Sequence, residues 1–126
     1  MDDGIRTALG RNQVIDLTTT GRRSRQPRRI EIYLHNLGGR LVISGMPVPG
    51  RTRAWIHNIS AEPAVTIHLK GDGPAADIDG IARVVTDPAE RTQLLEGVAR
   101  NWGRRDLEVM LEHSPLIEVQ LPGYPA

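Results

Sequence analysis

The sequence predicts a mostly β, α+β fold: a small, mainly antiparallel barrel of six strands with helical inserts. Three observations predict it. Apolar and polar residues alternate with period two in several short stretches, as where Ile30, Ile32 and Leu34 interleave with Arg29, Glu31 and Tyr33. Turns containing glycine or proline link most of these stretches. The regular strand–helix alternation of a doubly wound sheet is missing. At 126 residues the chain is read as one domain, 1–126, large enough to bury a real core. Phe is absent, and Trp55, Trp102, Tyr33 and Tyr124 are the four aromatic residues, so Ile, Leu, Val and Ala must build that core.

Residues 1–11 are short and polar and are read as a flexible segment or a partial helix. A hairpin follows over Val14–Tyr33. Its first arm is extended by the β-branched Thr18, Thr19 and Thr20, and Gly21 and Pro27 punctuate its turn. Asn36, Gly38 and Gly39 suit a second tight turn, leading into the apolar strand Arg40–Gly45. Pro47 and Pro49 make Met46–Arg51 a loop. A helix is expected from Arg53 to Ala61, with Thr52 as N-cap and an apolar face of Trp55, Ile56 and Ile59. Pro63 ends it. Ala64–Lys70 and Ala75–Thr86 read as two more strands, Gly80 marking a bulge or bend in the second. Asp87-Pro88-Ala89-Glu90 is a strong helix start, with Leu94, Leu95 and Val98 on the buried face of a helix running to Trp102. A short helix over Asp106–Glu112 and an alternating strand Leu116–Leu121 complete the chain.

Net charge is +1, yet five of the sixteen Lys and Arg residues fall in the eight positions Arg22–Arg29. Basic character this local points to a small anionic ligand rather than to nucleic acid, which is disfavoured further by the lack of stacking aromatics. Arg22, Arg23, Arg25, Arg28 and Arg29 offer planar forks suited to phosphate or carboxylate, and Ser24 adds a hydroxyl. The alternative is a solvated hairpin tip whose arginines pair with Asp16 and Glu31. Alternation sets Arg28 on the apolar face with Ile30 and Ile32, where a guanidinium needs a partner. Gly45–Thr52 echoes P-loop spacing, but Arg51 replaces the lysine and two prolines remove cradling amides. What survives is a helix start flanked by Arg51 and Arg53, attractive to an anion. Asn58 lies beside Trp55 on that helix, and a buried amide must find partners.

The four histidines lack metal-ligand spacing, no nucleophile triad is legible, and the absence of cysteine excludes thiolate chemistry. A bound cofactor would have to carry any redox reaction. No stretch has the apolar length of a membrane span and Met1–Gly10 lacks a signal-peptide h-region, so a cytoplasmic protein is expected.

In Leu17-Thr-Thr-Thr-Gly-Arg-Arg-Ser24, Gln26-Pro-Arg28, Ser44–Gly45, Ala54-Trp55-Ile56-His57-Asn58-Ile59, Ala61-Glu62-Pro63-Ala64-Val65 and Thr86-Asp87-Pro88-Ala89-Glu90-Arg91 the chain resembles the deazaflavin-dependent nitroreductase and quinone-reductase family over residues 13–121. That resemblance implies a split β-barrel, usually a homodimer. It implies hydride transfer from reduced coenzyme F(420), an 8-hydroxy-5-deazaflavin with a phospholactyl-polyglutamate tail, to a small-molecule acceptor, a quinone or nitroaromatic. FMN is the alternative cofactor, and a non-catalytic carrier of such an anionic molecule is the alternative function. By position, Arg22, Arg23, Ser24 and Arg28 would hold the phosphate and acidic tail. Tyr33, Ser44, Gly45 and Met46 would line the deazaflavin, with Trp55 and Asn58 beside them; Arg51 and Arg53 join the candidate set on their charge at the helix start, not on the resemblance. Tyr33 and His35 are the candidate proton donors. The family commonly has Gly where Arg25 stands, and Met46-Pro47 replaces a Lys-Gly-Gly run.

Overall fold

The computed structural model describes residues 1–125. Six strands close into a barrel: β1 (Gln13–Thr20), β2 (Pro27–Leu37), β3 (Arg40–Ser44), β4 (Ala64–Leu69), β5 (Ala76–Val84) and β6 (Leu116–Gln120). Their order around the barrel is β1-β2-β3-β6-β5-β4, with β4 returning to β1, and every pairing is antiparallel. Four helices decorate it: α1 (Asp3–Leu9), α2 (Ala54–Ala61), α3 (Pro88–Trp102) and α4 (Leu107–His113). The expected barrel with helical inserts is therefore present.

Two apolar clusters hold the fold together. The barrel interior contains Ile15, Leu17, Leu34, Leu41, Ile43, Ile67, Ile117 and Val119. A second cluster packs α3 and α4 on the outside of β3 and β6, through Val42, Leu94, Leu95, Val98, Met110 and Leu116. Strands β3 and β6 are thus covered on both faces, which is why Leu41, Val42, Ile43, Leu116, Ile117 and Val119 are all apolar and buried. Glu118 is the buried acid among them. It accepts from Arg40 Nε (2.6 Å) and Arg83 Nη2 (2.6 Å), and both arginines also reach Glu90 at the start of α3. These guanidiniums hold the Glu90 carboxyl down at about 2, Arg83 contributing most.

Several elements differ from expectation. Of the two readings of the N-terminal segment the helix is found, docked and capped by Asp2, whose side chain accepts from the Ile5 amide (3.1 Å). Ala8 and Leu9 are buried in the barrel cluster, and this packing supplies what a seven-residue helix lacks alone. The N-cap of α2 is Arg53 rather than Thr52, and it makes no side-chain capping bond. Gly80 is no bulge, since Val65 pairs with it in unbroken register. A Cβ there would lie 2.6 Å from Leu121 Cδ2 and 2.7 Å from the Gln120 carbonyl, so the glycine is required by close approach of β6. The helix start at Asp87 is as expected: its carboxylate accepts from the Glu90 amide (2.9 Å), and Gly103 ends α3 in the left-handed conformation.

Between β2 and α3 lies a small aromatic cluster. His35 is fully buried, its ring 4.8 Å from those of Tyr33 and Trp102, with Nδ1 3.0 Å from Asn101 Nδ2 and Nε2 unpartnered. Burial pulls its pKa down to about 4. An imidazole kept neutral by folding binds its proton more readily in the unfolded chain, so its contribution is complete above about pH 6.5 and fades as pH falls toward 4. The thermal midpoint should drop by several degrees across that window. In His35→Leu the decline should flatten there, which a series of melts at stepped pH will check.

Candidate functional site

The β1–β2 turn is built by its own polar groups. The Gly21 amide donates to the Gln26 carbonyl (2.8 Å) and the Arg25 amide to the Gly21 carbonyl (2.8 Å). Ser24 Oγ accepts from the Gln26 amide (3.2 Å) and from Arg28 Nη2 (3.2 Å). A Cβ on Gly21 would stand 2.5 Å from that Ser24 oxygen, so glycine is needed there. Arg25 has φ +60°, the only non-glycine in the left-handed region among the described residues. That conformation costs an L-residue roughly 1–2 kcal/mol, while glycine loses about 0.4–1 kcal/mol through its freer unfolded chain. Arg25→Gly is therefore expected to stabilise the protein by up to about 1.5 kcal/mol, readable by denaturant titration.

The turn is tied to α2 by one residue. Asn58, 6 % exposed, accepts from the Arg22 amide (3.0 Å) and donates through Nδ2 to Thr19 Oγ1 (3.1 Å). Both faces of its amide are thus engaged within the protein.

Beside the turn runs a trough made of two adjoining cavities of about 400 and 440 Å³ that share Ile30, Ala54 and Trp55. Arg22, Arg23, Ser24, Arg28, Arg29 and Asn58 surround the first. Ile32, Ser44, Gly45, Met46, Arg51 and Arg53 surround the second. Arg29 is neutralised by Asp16 (2.9 Å), which also pairs with Lys70 (2.7 Å); Lys70 in turn meets Glu31. No carboxylate pairs with Arg22, Arg23, Arg28, Arg51 or Arg53 among the described residues. Arg53 donates through Nη2 to the Met46 carbonyl (2.6 Å) and lies over Gly45, where a Cβ would be 3.1 Å from its Nη2. Burial, then the like charge of Arg51, lowers its pKa. The start of α2, uncapped by any side chain, opens at Ala54 on the same trough and adds its partial positive charge. The arrangement can hold a phosphate or carboxylate at one end and a flat apolar group against Ile30, Ile32 and Trp55.

Most of the residues singled out in the sequence therefore meet around one trough. Ser44 does so through its backbone, since its hydroxyl is buried and donates to the Pro115 carbonyl (2.7 Å). Tyr33 and His35 do not join it: they lie on the outer face of β2 against Trp102. Thr19, Ile30 and Ile32 escaped the sequence reading, although the parity that singled out Arg28 places Ile30 and Ile32 beside it. A larger cavity, about 700 Å³, lies along β1, β4 and β5 near Thr66 and Ile81 and has no cation in its lining. It does not suit an anion. No cluster of potential metal ligands and no helix long and apolar enough to cross a membrane occurs among the described residues.

The closed six-stranded antiparallel barrel with its helical inserts has the split β-barrel fold. A putative pyridoxamine 5'-phosphate oxidase from Listeria innocua is similar over 97% of this chain and 94% of its own, at TM-score 0.67 and 17% identity. An F(420) reductase is similar over 98% of both chains, at TM-score 0.72 and 18% identity. A structure described as a domain-swapped dimer covers 85% of this chain and 79% of its own, at TM-score 0.64 and 20% identity. At such identities these likenesses show the fold. No curated protein matches the chain. The family model for F(420)H(2)-dependent quinone reductase matches residues 2–117, and the chain belongs to that family. The cofactor this family implies is coenzyme F(420), and FMN gains no support.

Proposed function

We propose that this protein is an oxidoreductase that passes a hydride from reduced coenzyme F(420) to a quinone or nitroaromatic acceptor. The observation that carries the reading is the set of guanidiniums without carboxylate partners, Arg22, Arg23 and Arg28, at the charged end of an apolar-floored trough. The fit to the coenzyme is chemical. Arginine forks match phosphate and carboxylate oxygens, and the coenzyme's tail carries both. Arg22, Arg23, Ser24 and Arg28 would hold that tail, and Arg51, Arg53 and the start of α2 would add positive potential further along. Ile30, Ile32, Trp55 and the backbone of Ser44–Met46 would face the ring system and exclude water from it. The bound deazaflavin supplies the hydride chemistry, and the protein's own contribution is orientation. The trough offers no imidazole, and its one carboxylate, Glu31, is engaged with Lys70, so the proton that completes acceptor reduction is assigned to solvent.

Absorbance titration with reduced and oxidised coenzyme, followed by turnover with menadione, tests the proposal. Saturable binding of the reduced form and acceptor-dependent reoxidation are the expected results. Binding without turnover of quinone or nitro acceptors would leave the carrier reading, and no binding at micromolar protein would remove both. A homodimer is proposed on the likeness to the domain-swapped neighbour; size-exclusion with light scattering will show a mass twice that of the chain or refute it.

A further inference from the structure

Adjoining the trough through Arg51, Thr52 and Arg53 lies a further cleft of about 450 Å³, between the 51–57 segment, the end of β5 and the end of α4. Its polar lining is almost wholly cationic or neutral: Arg51, Arg53, His57, Arg91, His113 and Ser114. Arg91 donates through Nη2 to the Leu111 (2.9 Å) and Ser114 (3.0 Å) carbonyls, so it is fixed in place with its charge unmatched by any carboxylate. Burial lowers its pKa, as burial and Arg51 do for Arg53. Glu112 is the one acid in the lining, and it is exposed, 3.7 Å from His113. The Ser114 hydroxyl is buried with no hydrogen-bond partner. The remaining walls are apolar, including Ile56, Val84 and Leu111.

Three other arginines packed along the barrel meet acids: Arg40, Arg83 and Arg104. Three arginines gathered without such matching around an apolar-walled cleft of this volume leave a place for an external negative charge. We propose that this cleft is a second anion site, taking an apolar monocarboxylate whose head meets Arg51, Arg53 and Arg91 and whose body packs on Ile56, Val84 and Leu111. The cleft shares Arg51 and Arg53 with the trough; Arg91, His57 and His113 belong to it alone, and Arg22, Arg23 and Arg28 take no part in it.

The test uses the full chain without coenzyme. Naphthalene-2-carboxylate is titrated calorimetrically, with naphthalene-2-carboxamide as the uncharged control, and the imidazole signals of His57 and His113 are followed by NMR. The carboxylate should shift both imidazoles and bind at least about tenfold more tightly than the amide, as loss of a charge-assisted contact implies. Arg51→Ala should weaken it about tenfold, and His113→Asn should remove the His113 signal while reducing affinity less. Arg22→Ala/Arg28→Ala should leave carboxylate binding unchanged. Equal binding of both probes, unmoved imidazole signals, or a loss on Arg22→Ala/Arg28→Ala as large as on Arg51→Ala would overturn the proposal.

Discussion

Replacing Arg22, Arg23 and Arg28 together by alanine is expected to weaken coenzyme F(420) binding by at least about 100-fold, since each lost charge-assisted contact is worth about 1.5–3 kcal/mol. The same change should leave the thermal midpoint unaltered or slightly raised. All three side chains are exposed, none has a carboxylate partner, and their mutual repulsion is relieved when they go. The wild-type affinity should also fall as salt is added, while the residual affinity of the triple variant should fall less steeply, because three of the screened charges are gone and Arg51 and Arg53 remain. Calorimetry at two ionic strengths reads both effects. An unchanged affinity in a folded triple variant would contradict the proposed function.

Asn58→Ala should show the opposite balance, with stability the larger loss. It strips an acceptor from the Arg22 amide and a donor from the Thr19 hydroxyl in a site that is 6 % exposed. A buried hydroxyl and a part-buried amide left unsatisfied cost about 2–4 kcal/mol together. Asn58→Asp retains the acceptor for Arg22, and the Thr19 hydroxyl can rotate to donate, so its cost should be smaller. Because Asn58 holds the turn rather than offering a free edge to the trough, the Arg22–Arg25 amides should exchange faster with deuterium in the alanine variant even without ligand. Unaltered exchange there would mean that the turn stands without its tether to α2.

Which parts of this were legible in the sequence follows from the range of the forces involved. Period-two alternation marked the strands because a barrel has an inside and an outside, and Asp87-Pro88 marked α3 because a cap is a local bond. Residues Asp3–Leu9 gave a weaker signal, since their helix depends on burying Ala8 and Leu9 against strands far along the chain. The arginine turn was legible as a charge cluster. Its geometry was not, because the Arg22 and Thr19 contacts to Asn58 span 36 and 39 residues. Tyr33 is instructive. Family likeness grouped it with the cofactor residues, whereas its parity, opposite to Arg28 and Ile30, already placed it on the outer wall with His35. The cation-lined cleft drew on segments spread from Arg51 to Leu116 and left no mark in any one stretch.

The basic turn has one more consequence. All of its paired contacts to the body of the protein run through the strand ends that flank it and through Asn58. Specificity for the negative end of a ligand is therefore confined to a short interchangeable cassette on an otherwise indifferent scaffold. Swapping that cassette for an uncharged hairpin connection should yield a well-folded relative blind to the coenzyme's tail, and lengthening or recharging it is the economical path by which such barrels could come to accept a different anion.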